Sequence, residues 1–231
     1  MPQSNLALRI VSAAVLAPLA VAAAYFGGWP FMLFWAVAAG AVLWEWTRLV
    51  KGAVSGTISG VVWITAGVFY AAAMFAAPVL LRADAQYGLF AIVLLFAIVW
   101  STDIFGYFAG RAIGGPKLLP SVSPKKTWSG AIAGTLGAMI VAVAVASLFG
   151  SFHAGTVAAV ALLLSVCAQI GDLFESFVKR KFGVKDSSQL IPGHGGVMDR
   201  LDGFWAAALA GCLIGILRGG VGDAARGLLI W

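Results

Sequence analysis

The chain has 231 residues, of which 61% are hydrophobic and only 10% charged. A water-soluble domain carries charge on about a quarter of its residues, so that class is excluded. The net charge of +6 matters through its placement along the chain, because lipid admits only helices or closed barrels and the apolar runs here do not alternate. Each run is about 20 residues long, so the predicted fold is all-α: a polytopic membrane helix bundle of about seven transmembrane helices.

The first run, 10–26, follows Arg9 and reads as a signal-anchor rather than a cleaved signal, since six more runs follow it. Gly27, Gly28, Trp29 and Pro30 form a turn. The second span, 31–47, ends in Trp44 and Trp46, an interfacial belt, and is closed by Arg48 and Lys51. The third, 56–77, stops at Pro78, and Arg82 and Asp84 make a short loop. The fourth, 87–108, buries Asp103 near its end, and a basic loop, 111–127, follows with Lys117, Lys125 and Lys126. The fifth span is 130–149, and the turn 150–155 has His153 as its one titratable residue. The sixth runs from 156 to about 174, the seventh from 201 to 217, and the tail 218–231 is a surface helix or a frayed end. Residues 1–85 hold helices 1–3; residues 86–231 form a second part, with polar loops 111–127 and 175–201.

The basic residues test this count. With the N-terminus inside, 12 of the 15 lysines and arginines fall on the inner side and 3 outside, as the positive-inside rule requires. The predicted protein is therefore multi-pass in the inner or plasma membrane, its N-terminus and both rich polar loops cytoplasmic. Cys167 and Cys212 lie in separate apolar runs with neither zinc nor disulfide spacing, and read as core residues. Gly-x-x-x-Gly pairs at 56/60, 106/110, 130/134 and 211/215 allow close helix packing, within the chain or between copies.

Residues 172–202 hold ten of the charged residues and five of the nine acids. Mixed charges beside membrane-length segments cost several kcal/mol unless paired, so they call for partners such as metal ions or phosphates. On an extended sixth helix Asp172, Glu175, Ser176 and Lys179 share one face, and Asp199 and Asp202 share a face at the start of the seventh. Asp172 and Asp199 facing each other would bind Mg²⁺, which takes one or two carboxylates and completes its shell with phosphates. The plainer reading is that Asp199 caps the seventh helix and Asp172 pairs with Lys179. Lys179, Arg180, Lys181 and Lys185 read either as a lipid-surface anchor or as phosphate ligands. His194, set between Gly193 and Gly195, fits phosphate binding or proton transfer. In the other loop Ser123, Lys125, Lys126 and Thr127 precede a helix start and suit an anion, although Thr127 or Ser129 would also serve as a cap. Asp103, deep in a span, is a functional candidate whose ordinary partner would be Arg111 or a lysine of the next loop.

Ser176, Lys179, Arg180, Lys185, Asp186, Ser188, Ile191, Pro192, the run from His194 to Val197, and Asp199 to Asp202 together resemble the signature of the phosphatidate cytidylyltransferases. Residues 103–111 and 123–130 are similar to the family as well, although Ser129 stands where the family usually has Glu. The resemblance covers about residues 95–217, and the chain looks short for the family at its N-terminal side. It implies condensation of CTP with phosphatidic acid to CDP-diacylglycerol and pyrophosphate, Mg²⁺ at Asp172 and Asp199, and a homodimer. A second, monovalent cation stays open, and no nucleic-acid partner is expected.

On this reading the lipid phosphate attacks the α-phosphorus of CTP directly, and the protein positions and neutralises charge. Lys125, Lys126, Arg180 and Arg200 hold phosphates, with Lys126 and Arg200 nearest the chemistry. Ser123 and Thr127 donate hydrogen bonds, and Glu175, Asp186 and Asp202 orient the basic groups. Two alternatives carry different products: a CTP-dependent polyprenol or phytol-type lipid kinase, and a transporter using Asp103 and Asp172 as ion-coupling acids. The chain lacks the internal repeat that the transporter reading calls for.

Overall fold

The computed structural model describes residues 3–54, 58–150, 152–193 and 195–231. The described residues form eight helices and one small hairpin: α1 (Gln3–Phe26), α2 (Gly28–Val54), α3 (Ile58–Ala83), α4 (Gly88–Ala112), β1 (Lys117–Leu119), β2 (Ser123–Thr127), α5 (Trp128–Phe149), α6 (Ala154–Lys181), α7 (Met198–Gly219) and α8 (Ala224–Leu229). The helices α2 to α7 are long and apolar enough to cross a membrane; the apolar part of α1, Val11–Phe26, is shorter. The expected seven spans are thus six of full length plus this shorter one.

The breaks follow local chemistry. Gly27 is the one non-helical residue between α1 and α2, at φ 63°, a value that favours glycine. Pro30 falls in the first turn of α2, where a missing N–H costs nothing. Pro78 does not end the third span as expected: α3 continues to Ala83. Proline is tolerated inside a membrane helix because neighbouring helices cover the freed carbonyl. Arg82, expected in a loop, lies in that last turn and donates to the carbonyls of Ala24 (2.6 Å) and Tyr25 (3.2 Å). It thereby closes the C-terminus of α1. Asp84 forms the turn into α4, accepting from the amides of Gln86 (2.9 Å) and Tyr87 (2.8 Å).

Two further features depart from expectation. The basic loop 111–127 contains the β1–β2 hairpin, with Lys117 opposite Thr127 and Leu119 opposite Ser123, so the fold is helical apart from this pair of strands. The tail is neither frayed nor a surface helix. In α8 Ala224, Ala225, Leu228 and Leu229 are buried, and Gly227 lies against Gly215 and Gly219 of α7.

The glycine pairs act within the chain. A Cβ at Gly134 would stand 2.6 Å from the Thr102 carbonyl oxygen, and one at Gly130 would stand 2.7 Å from that of Gly106. Glycines of α4 and α5 therefore bring these two backbones together, and Gly211 and Gly215 admit α8. Gly56 of the first pair lies outside the described residues.

α6 has 28 residues, and at 1.5 Å per residue spans roughly 42 Å, more than the ~30 Å hydrocarbon core. Its charged last turns therefore have room to stand clear of the lipid. Beside them an aromatic group fixes the spacing of four helices. Tyr70 of α3 stacks on Trp205 of α7 (4.2 Å between centroids), Trp46 of α2 packs on Tyr70 (5.2 Å), and Phe174 of α6 adjoins all three.

Candidate active site

The acids of α6 and α7 meet as their spacing predicts, but they divide differently from expectation. Asp172, Glu175 and Asp202 have carboxylate oxygens within 4.8 Å of one another. Asp199 stands outside this group. Its Oδ1 takes the Lys179 ammonium at 2.5 Å, and its Oδ2 accepts from the Ser187 amide (2.9 Å), the Ser187 hydroxyl (2.8 Å) and the Gly196 amide (2.8 Å). Lys179 also lies 2.7 Å from Glu175 Oε2. Side-chain exposures of 13% for Lys179, 1% for Glu175 and 5% for Asp199 make this a buried acid–base–acid triad. Lys179 is thus a counterion to two acids, and Asp172 pairs instead with Lys126 of β2.

Lys126 brings in the hairpin. It is set on β2 directly before Thr127, whose hydroxyl caps α5 by accepting from the Gly130 amide at 3.2 Å. The capping reading of Thr127 therefore holds, and Ser129 supports the same turn by donating to the Gly114 carbonyl. A cavity of about 580 Å³ opens between α4, the hairpin, α5 and α6. Its charged lining is Asp103, Arg111, Lys117, Lys125, Lys126 and Asp172, with Thr127 also on its wall. Four cations facing two acids give it a positive balance suited to a polyphosphate.

The remaining expected residues are distributed as follows. Ser123 is half-buried on β2, opposite Leu119. Arg180 is exposed and donates to the Val184 carbonyl at 3.2 Å. Lys185 and Asp186 are exposed between α6 and α7, and Arg200 is exposed in the first turn of α7. His194 lies outside the described residues.

A second cavity, about 560 Å³, is apolar and adjoins the first, with Leu118, Ala131 and Gln169 lining both. It runs between α5 (Trp128, Ile132, Leu136) and α6 (Leu162, Val166, Ile170). Gln169 marks the border, donating to the Thr135 hydroxyl at 2.9 Å.

One residue escaped the sequence reading. Glu45 of α2 is fully buried and accepts hydrogen bonds from Ser187, Ser188 and the amides of Val197 and Met198. The signal was present: an acid inside an apolar span, of the kind that singled out Asp103. Flanking Trp44 and Trp46 drew the reading to a lipid interface instead.

Residues 52–215 match the model of the Cytidylyltransferase family, a stretch that includes α3 to α6 and the hairpin. A phosphatidate cytidylyltransferase of Brucella abortus biovar 1 (strain 9-941) is 43% identical, over 93% of this chain and 94% of the relative. The chain belongs to the cytidylyltransferase family. Relatives of the same name from Rickettsia bellii (strain RML369-C) and Rickettsia conorii (strain ATCC VR-613 / Malish 7) are 37% and 35% identical, each over 87% of this chain and 86% of the relative. The 255 positions matched to the Brucella relative exceed the 93% of this chain that they cover, so this chain is the shorter of the two within the match. The likeness reaches well beyond residues 95–217. With six membrane-length helices among the described residues, this member of the family is a multi-pass membrane protein.

Proposed function

We propose that the protein transfers a cytidylyl group from CTP to phosphatidic acid, giving CDP-diacylglycerol and pyrophosphate. The observation that carries this is the junction of the two cavities. A basic, carboxylate-walled chamber fits a triphosphate, and an apolar groove sharing its wall fits the acyl chains of a membrane lipid. A phosphate between them meets both at the Leu118, Ala131 and Gln169 border.

A phosphate oxygen of the lipid attacks the α-phosphorus in line, a new P–O bond forms, and the bond to the β-phosphate oxygen breaks as pyrophosphate leaves. The nucleophile is already anionic, so no protein base and no covalent intermediate are required. The chain's own residues supply position and charge. Lys125, Lys126, Lys117 and Arg111 line the phosphate side, Arg with a fork suited to two oxygens at once. Asp103, across the chamber, orients these cations. Arg180, in the last turn of α6, and Lys185, just after it, are offered to the leaving pyrophosphate; His194 keeps the phosphate or proton-transfer role that its sequence setting suggests.

The carboxylates fit Mg²⁺. Three of them have oxygens within 4.8 Å of one another, and the Glu175 oxygens are buried without a hydrogen bond, their contact with Lys179 being an ion pair. Asp172, Glu175 and Asp202 would hold the ion, and Asp199 joins them only if Lys179 gives way. When bound, the ion offsets triphosphate charge and polarises the reacting phosphorus. The excess of basic residues on one side supports a cytoplasmic N-terminus and a cytoplasmic mouth, where CTP is available. A homodimer remains part of the proposal, formed through surfaces other than the glycine pairs that α4, α5, α7 and α8 use among themselves.

The test is the full chain in detergent with labelled CTP and phosphatidic acid, with and without a chelator. CDP-lipid and pyrophosphate are expected, and both vanish with the chelator; phosphorylated lipid and CDP would identify a lipid kinase instead. The groove has its own prediction. Val166→Trp should fill it and raise KM for long-chain phosphatidic acid by about tenfold, while leaving a dihexanoyl analogue within twofold. Equal effects on both lipids would remove the groove from the reading.

A further inference from the structure

Glu45 is wholly buried, and among the described residues no cation pairs with it. Four donors converge on it instead. Oε1 accepts from the Ser188 hydroxyl (2.5 Å) and the Val197 amide (2.9 Å); Oε2 accepts from the Ser187 hydroxyl (3.1 Å) and the Met198 amide (2.8 Å). The two amides open α7, where the helix dipole favours an anion. No residue adjacent to α7 supplies a side-chain cap, so an acid from α2 takes that place from about 150 residues away in sequence. The Ser187 hydroxyl has a single hydrogen, yet lies within bonding distance of both Glu45 and Asp199. Ser187 therefore joins Glu45 to the Asp199–Lys179–Glu175 triad. The fit has no slack: a Cβ at Gly196 would stand 2.5 Å from Glu45 Oε1.

We propose that Glu45 is a positioning residue for cytidylyl transfer. It holds Ser187, Ser188 and the first turn of α7 at Val197 and Met198, and through Ser187 and Asp199 it sets where Lys179 and Glu175 stand beside the chamber. It touches no substrate. A carboxylate is specifically suited, because it is acceptor-only; a glutamine amide would turn hydrogens toward two of the four donors. The inference rests on the cytidylyl-transfer reading of the same site.

The experiment compares wild type, Glu45→Gln and Ser188→Ala as purified full chains. It measures kcat and KM for CTP, thermal unfolding in detergent, and the rate of tryptic cutting at the exposed Lys185. Glu45→Gln is expected to lower kcat about 10- to 100-fold with KM for CTP within twofold, and to speed cutting at Lys185. Ser188→Ala, which removes one donor of four, is expected to lower kcat about threefold in the same direction. Folded Glu45→Gln with wild-type kcat overturns the proposal, as does a lower unfolding temperature with kcat per folded molecule unchanged. If Glu45→Gln yields no folded protein, Ser188→Ala decides, and unchanged kcat there overturns it. A wild-type chain that makes no CDP-lipid fails the functional reading itself, an outcome that the variants do not confuse with the first.

Discussion

Asp172→Asn is expected to lower CDP-lipid formation on the order of 1,000-fold while leaving the protein inserted and folded. Asp172 is the one acid that belongs both to the carboxylate group and to the lining of the phosphate chamber. It also pairs with Lys126, so its charge holds a phosphate-facing lysine in place. On the proposed Mg²⁺ reading, loss of that charge removes a cation ligand and releases the lysine together. Both side chains of the pair are 28% exposed, so the stability cost is small, as for a partly solvated ion pair. The comparison with Asp202→Asn and Asp199→Asn separates the two possible ligand sets. If Asp172 works with Asp202, that variant loses activity nearly as far, with half-maximal Mg²⁺ moved upward. Asp199→Asn would then act chiefly through the loop, losing stability as well as rate. Incorporation of labelled CTP across a Mg²⁺ titration, beside thermal unfolding, reads both quantities. Near-normal turnover of Asp172→Asn would end its assignment as a ligand.

The spans were legible because uniform apolar runs of bilayer length admit one solution in lipid, and the charged stretch was legible because such a cluster is costly there. The i, i+3 spacings placed Asp172 with Glu175, and Asp199 with Asp202, each on one face, as found. What spacing cannot supply is which acid the backbone claims. Asp199 stands three residues after Gly196 and takes its amide, together with both donors of Ser187; Asp202, one turn deeper, is left to meet Asp172. The hairpin was hidden for another reason. Strands of three and five residues carry no period, and Pro124 within β2 speaks against a strand unless it lies at an edge, as every strand of a two-stranded sheet does. Burial of α8 turned on glycines 215, 219 and 227, which say that something approaches but not what. Glu45 pairs with donors about 150 residues away, a distance over which local pattern carries no information.

Lys179→Met is expected to be the most destabilising single change at this site, by about 3–5 kcal/mol. Lys179 is the shared counterion of Glu175 and Asp199, and with it gone two acids of 1% and 5% exposure face each other without a cation. Of the two, Asp199 keeps the amides of Ser187 and Gly196 and shares the Ser187 hydroxyl with Glu45, whereas the Glu175 oxygens have no hydrogen bond. The loss should therefore fall on Glu175. This predicts an asymmetric rescue: Glu175→Gln added to Lys179→Met recovers much of the unfolding temperature, because it removes the acid left without donors. Asp199→Asn added to Lys179→Met recovers less, since it also weakens the acceptors that hold the loop. Neither double variant recovers activity, as the triad that borders the carboxylate group is gone. Thermal unfolding of the four proteins in one detergent checks the order. Equal rescue by the two neutral partners would mean that Lys179 balances total charge, and that the hydrogen bonds of Asp199 do not set how that charge is borne.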